Sequence, residues 1–480
     1  MMVINTEKNI YADENLSSAF STYVDNLAKS NVHSLIIRRD NHNLAEIYWQ
    51  PYNAKQKQIM YSVSKSFTAV AMMFLLQDKL CSLTTPIYQI LKHKINFVPS
   101  KRVQKATIRD LLTMTYGFYE EGIQKFYLES DWIKEALSLP LQNEPGKVFF
   151  YDNRCPFLCS AIVQELTGKN LLTYLQEKLF NHLAIYDVSW EQNVQGYAKG
   201  SYGLSITTPN LAKFGQFILN KGKWQNKQLL ASKYIEQLLT VQVNTDNELT
   251  QAEIIDNKQG YSYYFWKCLP DGVFRASGLF GQFCIIFPKQ NTVIAITSGT
   301  ENEQKEAILQ ATWRFMQLWE RLGNSKRKLN VMHNYKIALP TNDNYEDGRL
   351  FSKHFDFADN KLGIKTVQLT RIDTHKLKIS LSIRFRQIEL YASNRQWQTN
   401  STTTAPKVND EFDSCSTIWF DNPYMAYGWH KGELTLKLVY NQGIFIDTIK
   451  LKYLDNKLNL QYIPKPNFSI RADACNLQSV

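Results

Sequence analysis

The 480-residue sequence lacks several patterns that mark common classes of protein. No run of about 18 apolar residues occurs, so no membrane-spanning helix is predicted. A Gly-x-x-x-x-Gly-Lys phosphate loop, a His-Glu-x-x-His zinc helix and a Gly-x-Ser-x-Gly elbow are all missing, which removes the usual signals of three large enzyme classes. Basic residues are not interleaved with aromatic ones in any block, so no nucleic-acid partner is predicted despite the net charge of +11.

Paired cysteine patterns and a leader segment are also missing. The seven cysteines, an odd number, are scattered along the chain, which predicts free and mostly buried thiols in a reducing compartment. Cys155 and Cys159 are four residues apart but have no neighbouring histidine or second cysteine pair, so neither a metal site nor a cofactor is predicted. Residues 1–8 show no basic segment followed by an apolar run and a cleavage site, and we expect a cytoplasmic location.

The overall composition is typical of a globular protein, with 44% hydrophobic and 21% charged residues. The chain is too long for one ordinary core, which predicts two domains. A charged segment, Ser-Lys-Arg-Lys at residues 325–328, separates them. Beyond it, apolar and polar residues alternate over residues 377–385, the period of a half-buried strand. We therefore predict domains at residues 1–325 and 326–480, the second being an antiparallel β barrel or sandwich.

The first of these domains mixes predicted helices and strands. Helical spacing over residues 16–28 is followed by a hairpin of residues 34–39 and 44–49. This order favours a sheet covered by helices. Residues 244–258 are polar and are predicted to form a surface insertion. The remaining predicted elements are helices over residues 107–117, 157–166, 208–220 and 302–322 and strands over residues 260–266, 274–288 and 292–297.

The segment around which the chain is organised is residues 61–68, Tyr-Ser-Val-Ser-Lys-Ser-Phe-Thr, which leads into a run that is apolar on every side. Such a run predicts a fully buried helix with Ser62 in its first turn. Residues at i and i+3 share a helix face, so the amine of Lys65 can meet the Ser62 hydroxyl. A lysine in an apolar setting can lose its proton near neutral pH and serve as a base for a serine nucleophile.

A resemblance to the β-lactamase-related serine hydrolases is carried by these residues, the Leu-Thr at 83–84, the Thr-Ile-Arg block at 107–117 and a scaffold block at 200–216. That family includes class C β-lactamases, D-alanyl-D-alanine peptidases and related esterases. The resemblance implies an α+β fold with an antiparallel sheet flanked by helices and a helical subdomain, followed here by the C-terminal antiparallel β domain. It covers about residues 16–322. No chemistry is assigned to the block at 200–216.

The resemblance also implies further site residues. Tyr151 and Asn153, in a Tyr-x-Asn loop, match the second motif of the family. A phenol beside Lys65 could relay protons, and the amide could orient the lysine or hold the substrate. Gly278 matches the third motif and would permit a close backbone approach. By the same resemblance, the amides of Ser62 and Leu279 would form an oxyanion hole.

The third motif departs from the family pattern. Ala276 stands where lysine or histidine is usual, and neighbouring Arg275 is predicted to point to the opposite face of its strand. A β-lactam or a D-alanine-ended peptide has a carboxylate that this cation normally helps to hold. Its absence favours neutral esters or amides. Three further residues, Tyr116, Ser277 and Phe280, are candidate walls of the cleft.

The sequence therefore predicts a serine hydrolase that forms an acyl-enzyme on Ser62, with Lys65 and Tyr151 moving protons, and that cleaves a small ester or amide. Two alternatives stay open. One is a β-lactamase or D-alanyl-D-alanine carboxypeptidase. The other is a catalytically silent, penicillin-binding-protein-like protein that only binds a ligand. The expected partner is a small-molecule substrate, and the oligomeric state is not predicted.

Overall fold

The computed structural model of the protein describes most of the chain. The described residues are 16–117, 126–127, 129–246, 255–301, 304–322, 329, 335–343, 345–351, 353–383, 386–401, 423–440, 443–466 and 474–480. The charged segment at 325–328 and the predicted domain boundary at 325/326 lie outside these ranges, so the boundary stays a prediction. Among the described residues, no helix has both the length and the apolar character needed to cross a bilayer.

The described strands of the N-terminal part are short and form one principal sheet and two smaller ones. In chain order they are β1 (Val32–Arg39), β2 (His42–Tyr48), β3 (Lys57–Ile59), β4 (Val188–Trp190), β5 (Leu204–Thr207), β6 (Lys223–Trp224), β7 (Lys227–Gln228), β8 (Trp266–Lys267), β9 (Phe274–Gly278), β10 (Gln282–Phe287) and β11 (Thr292–Ser298). Six of them form the principal sheet in the order β2-β1-β11-β10-β9-β8, with every neighbour antiparallel. The smaller sheets are a three-stranded one of β3, β5 and β4, and a pair of β6 and β7.

Helices cover both faces of this sheet. They are Leu16–Lys29, Ser64–Gln77, Ile87–Leu91, Lys101–Lys105, Ile108–Leu112, Trp132–Ser138, Arg154–Thr167, Leu171–Leu175, Thr208–Leu219, Ser232–Leu238 and Lys305–Arg321. The first and last of these pack together, with the rings of Tyr23 and Phe315 stacked at 4.7 Å. The side chains of β10 alternate between two cores: Phe283 and Ile285 join the core under these two helices, whereas Cys284 and Ile286 join the other. The result is a three-layer arrangement.

The Ser64–Gln77 helix, called here the central helix, runs through the second core. Thirteen of its fourteen residues are buried. This confirms the burial predicted from its all-round apolar sequence and explains why a helix of this composition is stable only inside the molecule. Its position also decides the environment of Lys65, which is in its first turn.

The C-terminal part is one curled antiparallel sheet that forms a half-barrel. Its strands are β12 (His354–Asp356), β13 (Ile364–Asp373), β14 (Lys376–Ile383), β15 (Arg386–Ser393), β16 (Gln398–Thr399), β17 (Pro423–His430), β18 (Glu433–Tyr440), β19 (Ile446–Leu454), β20 (Lys457–Lys465) and β21 (Cys475–Gln478). Strands β15 and β17 meet in a short parallel step. The backbone nitrogen of Val480, beyond β21, donates to the carbonyl oxygen of Asp356 in β12 at 2.8 Å, so the curled sheet brings its two edges together.

Most predicted elements are confirmed, including the first helix and hairpin, strands β9 to β11 and the half-buried strand at 377–385 as β14. Two boundaries were wrong. The predicted strand over residues 260–266 is irregular up to Trp266, because the Ser262 nitrogen bonds the Phe265 carbonyl in a turn. The helix capped by Thr107 ends at Leu112 and not at Gly117, because Met114 takes a left-handed φ of 58°.

The predicted surface insertion at 244–258 stays a prediction, because residues 247–254 lie outside the described ranges, but its described ends are not wholly exposed. In the polar segment 244–258, Asp256 is buried, and its carboxylate accepts a hydrogen bond from Trp313 Nε1 at 2.9 Å. It also lies 3.7 Å from the guanidinium of Arg275. A polar sequence is therefore compatible with burial when charge and hydrogen bonds are matched inside the fold.

Candidate active site

Ser62 lies in a one-turn 3-10 helix, Tyr61–Val63, that leads directly into the central helix. Lys65 Nζ donates a hydrogen bond to Ser62 Oγ at 2.8 Å. The two groups come together because three residues make almost one helical turn. The structure thus brings a hydroxyl and an amine into the contact that proton transfer between them needs.

The amine of Lys65 is almost completely removed from water, with 1% of the residue exposed. Burial lowers the pKa of Lys65 to about 7, and the charges of Asp152 and Cys155 oppose that shift. Desolvation disfavours the ammonium form, and a lysine with this pKa is substantially neutral at physiological pH. A neutral amine has a lone pair that can accept the proton of a serine hydroxyl.

A second hydrogen bond of this amine comes from a residue to which the sequence assigned no role. Lys65 Nζ donates to the main-chain carbonyl oxygen of Ser201 at 2.9 Å. The preceding Gly200 has φ +67°, and a methyl group there would lie 2.4 Å from the carbonyl oxygen of Pro156. Thr68, one turn along the central helix, donates to the Gly200 carbonyl at 2.7 Å. The only sequence signal for this contact is the glycine-bounded turn at 200–203.

Tyr151 reaches the same group of atoms from a loop before the Arg154–Thr167 helix. Burial raises the pKa of Tyr151 to about 12, and the nearby Ser62 hydroxyl opposes that shift, so the phenol stays protonated. Lys65 Nζ lies 4.8 Å from the centre of the Tyr151 ring. The ring stacks on Trp266 at 5.6 Å and meets Tyr261 edge to face. These two aromatic residues hold the phenol, and the sequence analysis did not identify them.

Asn153 is held differently from what the motif suggests. Its amide nitrogen donates to the hydroxyl of Tyr127 at 2.8 Å, a contact that the sequence did not predict. Its Oδ1 is buried without a hydrogen-bond partner among the described residues. A buried, unpaired acceptor carries a free-energy cost that a bound donor would relieve.

The third segment lies at the end of β9 and in the turn Leu279–Gly281. A methyl group at Gly278 would lie 2.4 Å from the carbonyl oxygen of Met60, so the glycine allows the close approach of the Ser62 segment itself. Ala276 is fully buried, and Arg275 is fully buried beside Asp256, away from any role as a substitute cation. Ser277 and Leu279 are half-buried.

Two candidate wall residues are buried. Tyr116 is 1% exposed and belongs to the core around the central helix, and its place in a cleft wall stays a prediction. Phe280 is also 1% exposed. Its ring is edge-on to Tyr61, the residue before Ser62, at 5.2 Å.

The structure therefore brings Ser62, Lys65 and Tyr151 into contact at the start of a buried helix, beside a strand of an antiparallel sheet with helices on both faces. This architecture is that of the serine hydrolase fold shared by β-lactamases and penicillin-binding proteins. A family model described as Beta-lactamase matches residues 22–315, more than half of the chain, and the chain belongs to this family.

Individual relatives are distant. An uncharacterized protein from Alkalihalophilus pseudofirmus is 26% identical over 306 residues, covering 58% of this chain and 88% of that protein. A Bacillus anthracis protein named as a 6-aminohexanoate-dimer hydrolase has a TM-score of 0.53 and 21% identity, covering 62% of this chain and 82% of its own. Simvastatin synthase from Aspergillus terreus has a TM-score of 0.51 and 15% identity, and the match covers 65% of this chain and 95% of that one. At these identities, the likeness to the solved structures shows that this chain shares their fold and nothing more.

Proposed function

We propose that this chain is a serine hydrolase that forms an acyl-enzyme on Ser62. The observation that carries the proposal is the 2.8 Å contact between Ser62 Oγ and a buried amine whose pKa is about 7. A serine hydroxyl is a weak nucleophile until a nearby base accepts its proton, and this amine is placed to do so at neutral pH. Membership of a family with hydrolase members supports the same reading.

The proposed reaction has two halves. Ser62 Oγ forms a bond to the substrate carbonyl carbon while its proton passes to Lys65 Nζ. The bond from that carbon to the leaving oxygen or nitrogen then breaks, and the leaving group takes the proton by way of the Tyr151 hydroxyl. In the second half, water attacks the acyl carbon and its proton passes through the same groups to Ser62 Oγ. The bond between the acyl carbon and Oγ breaks, which releases the acid and restores the Ser62 hydroxyl. The amides of Ser62 and Leu279 are proposed to stabilise the oxyanion.

We expect the substrate to be a small neutral ester or amide. Ala276 offers no charge at the position where the family commonly carries a cation, and Arg275 is engaged with Asp256 in the interior. The unpaired Oδ1 of Asn153 is suited to accept a hydrogen bond from an N–H group of the bound substrate. Gly278 and Ser277 would run alongside that substrate.

A fluorophosphonate probe tests the nucleophile, because it reacts covalently with activated serines. We expect wild type to be labelled, Ser62→Ala to be unlabelled, and Ser189→Ala, which removes an exposed serine of β4, to be labelled as wild type. Mass spectrometry of the labelled peptide locates the adduct. Equal labelling of wild type and Ser62→Ala would remove Ser62 from the role.

A substrate panel separates the remaining alternatives. Acyl esters of varied length, anilide amides and a chromogenic cephalosporin are compared at equal enzyme concentration by kcat/KM. We expect the esters and amides to be preferred. Cephalosporin hydrolysis faster than that of every ester would overturn this ranking in favour of a β-lactamase. No acylation by any reactive ester would favour the silent ligand-binding protein.

A further inference from the structure

The segment before β19 in the C-terminal β domain is seated directly on the principal sheet. Gly299, which follows β11, is buried, and a methyl group there would lie 2.1 Å from the carbonyl oxygen of Ile444. Ile444 itself is fully buried. Only a glycine leaves room for the main chain of another part of the protein at this distance. The contact is therefore a close fit between backbones and not a loose surface touch.

The next residue of that segment reaches toward Ser62 through a row of rings. Phe445 meets Phe280 with ring centres 6.2 Å apart and planes at 62°. Phe280 in turn meets Tyr61 at 5.2 Å and 69°. Tyr61 directly precedes Ser62, and Phe280 directly follows Leu279. The three rings thus connect the C-terminal β domain to both segments that would supply the oxyanion amides.

The Leu279–Gly281 turn needs support because Phe280 has a left-handed φ of 60°. For a residue with a side chain this conformation is unfavourable and persists only where its surroundings hold it. The Phe280 carbonyl is fixed by Ser298 Oγ at 2.6 Å and Gln282 Nε2 at 3.2 Å. Those bonds fix the main chain on one side, and the ring of Phe280 is held from the other side by Tyr61 and Phe445.

We infer that Phe445 is a positioning residue for the active site, through which the C-terminal β domain holds the Leu279–Gly281 turn in place for the reaction at Ser62. The inference rests on the proposed function for its kinetic consequence. Removing the Phe445 ring takes away one of the two aromatic contacts that hold the Phe280 side chain, so the left-handed turn can shift and move the Leu279 amide. A displaced oxyanion donor slows acylation more than it weakens substrate binding, because the charge develops only in the transition state.

The kinetic test compares three variants with a fluorogenic ester. For Phe445→Ala we expect kcat to fall about tenfold while KM changes by less than about twofold. Phe445→Tyr keeps the ring and should stay within about twofold of wild type. The matched control is Phe351→Ala: Phe351 is also half-buried in the C-terminal domain, and its ring meets Trp429 at 6.0 Å and 62°, far along the chain from Phe280.

Equal kcat for Phe445→Ala and Phe351→Ala would overturn the inference, since it would reduce Phe445 to an ordinary packing residue. The same holds if Phe445→Tyr loses as much activity as Phe445→Ala. Circular dichroism and thermal melting establish that each variant is folded. If Phe445→Ala does not fold, Phe445→Leu replaces it, because leucine keeps most of the volume but loses the aromatic edge.

A second measurement does not depend on enzyme activity. Hydrogen–deuterium exchange of peptides covering residues 276–283 reports how firmly the turn is held. We expect faster exchange there in Phe445→Ala and no change in Phe351→Ala. If wild type is not acylated by any probe, the proposed function fails, and exchange alone still decides the positioning role. Unchanged exchange in Phe445→Ala would reject that role even if Ser62 proves to be the nucleophile.

Discussion

The amine of Lys65 illustrates how one side chain acquires its chemistry from burial. A lysine in water titrates near 10.5, and removal from solvent brings the pKa of Lys65 to about 7. Two acceptors remain within reach, the Ser62 hydroxyl and the Ser201 carbonyl. The neutral amine can therefore donate a hydrogen bond to the Ser201 carbonyl and accept the proton of the Ser62 hydroxyl. An ammonium group has no lone pair and cannot accept that proton.

The pH dependence of activity follows from this shift. Below the folded pKa the ammonium has no lone pair, so we expect kcat/KM to rise with pH through a midpoint near 7. Tyr151 titrates only at about 12 and adds no decline before then. Because Lys65 holds its proton to a higher pH in the unfolded state, between about pH 7 and 10.5, the contribution of this one group to folding stability should also rise across that window.

Initial rates of ester hydrolysis between pH 5 and about 10 measure this profile. Lys147→Met, which removes an exposed lysine, should keep the same midpoint. Lys65→Met should lose the activity together with its pH dependence. A wild-type profile that is flat from pH 5 to 9 would show that Lys65 is not the base.

The sequence predicted the Ser62–Lys65 pair because both residues belong to one helical turn. It did not predict the Ser201 carbonyl, which is 136 residues away and is a main-chain atom. No side-chain type marks such an acceptor. Tyr127, which holds Asn153, was missed for a related reason: nothing in the local sequence distinguishes this tyrosine from the chain's other tyrosines.

At the scale of elements, the end of β9 fixes where the Ser62 turn lies. Gly278 pairs with Gln282 of β10 and has an extended backbone that any residue could adopt. A glycine is therefore needed at this position because it has no side chain, and not because of its backbone conformation. The Met60 carbonyl occupies the place that a methyl group would take. The sheet and the nucleophile segment are therefore in backbone contact, and the glycine of the third motif is needed by the protein's own chain.

Gly278→Ala should displace the Ser62 turn, because its methyl group would lie 2.4 Å from the Met60 oxygen. We expect fluorophosphonate labelling to slow about 100-fold, the scale of a 1 Å misplacement, with a loss of about 1–3 kcal/mol in the free energy of unfolding. Labelling rates and urea unfolding measure the two effects.

The control for this change is Gly348→Ala, where the added methyl group has no heavy atom within 4 Å. It should label and unfold as wild type. Labelling of Gly278→Ala at the wild-type rate would mean that the turn tolerates the displacement, and the close contact would then have no bearing on reactivity.

At the scale of the whole molecule, the C-terminal β domain is attached through a small apolar contact of its own. Strand β18 turns Leu434, Leu436 and Leu438 into the interior of the half-barrel, whereas Val439 faces outward. Val439 and Ile446 are buried against Tyr52 of the N-terminal part. Nearby, Gln56 donates to the hydroxyl of Tyr424 at 3.0 Å. These contacts hold the segment of Phe445 over the principal sheet.

A charge placed in this contact should separate the two parts. Val439→Asp would bury a carboxylate against the apolar surfaces of Tyr52 and Ile446, at a cost of several kcal/mol unless the contact opens. We expect calorimetry to show a lower first unfolding transition than in wild type. Leu454→Asp, at a position 45% exposed on β19, is the control and should leave the melting curve unchanged. Identical curves for the two variants would show that the contact contributes nothing to stability.

The sequence by itself determined the central helix, the serine and lysine one turn apart, the positions of the main strands along the chain and the alternation that forms the C-terminal sheet. Each of these follows from neighbours along the chain, through helical or strand periodicity. Only the tertiary structure decided the depth at which Lys65 is buried, the carbonyl it bonds, the aromatic residues that hold Tyr151 and the meeting of Phe445 with Phe280. Those depend on segments far apart in sequence, whose contacts arise from packing and leave no local pattern.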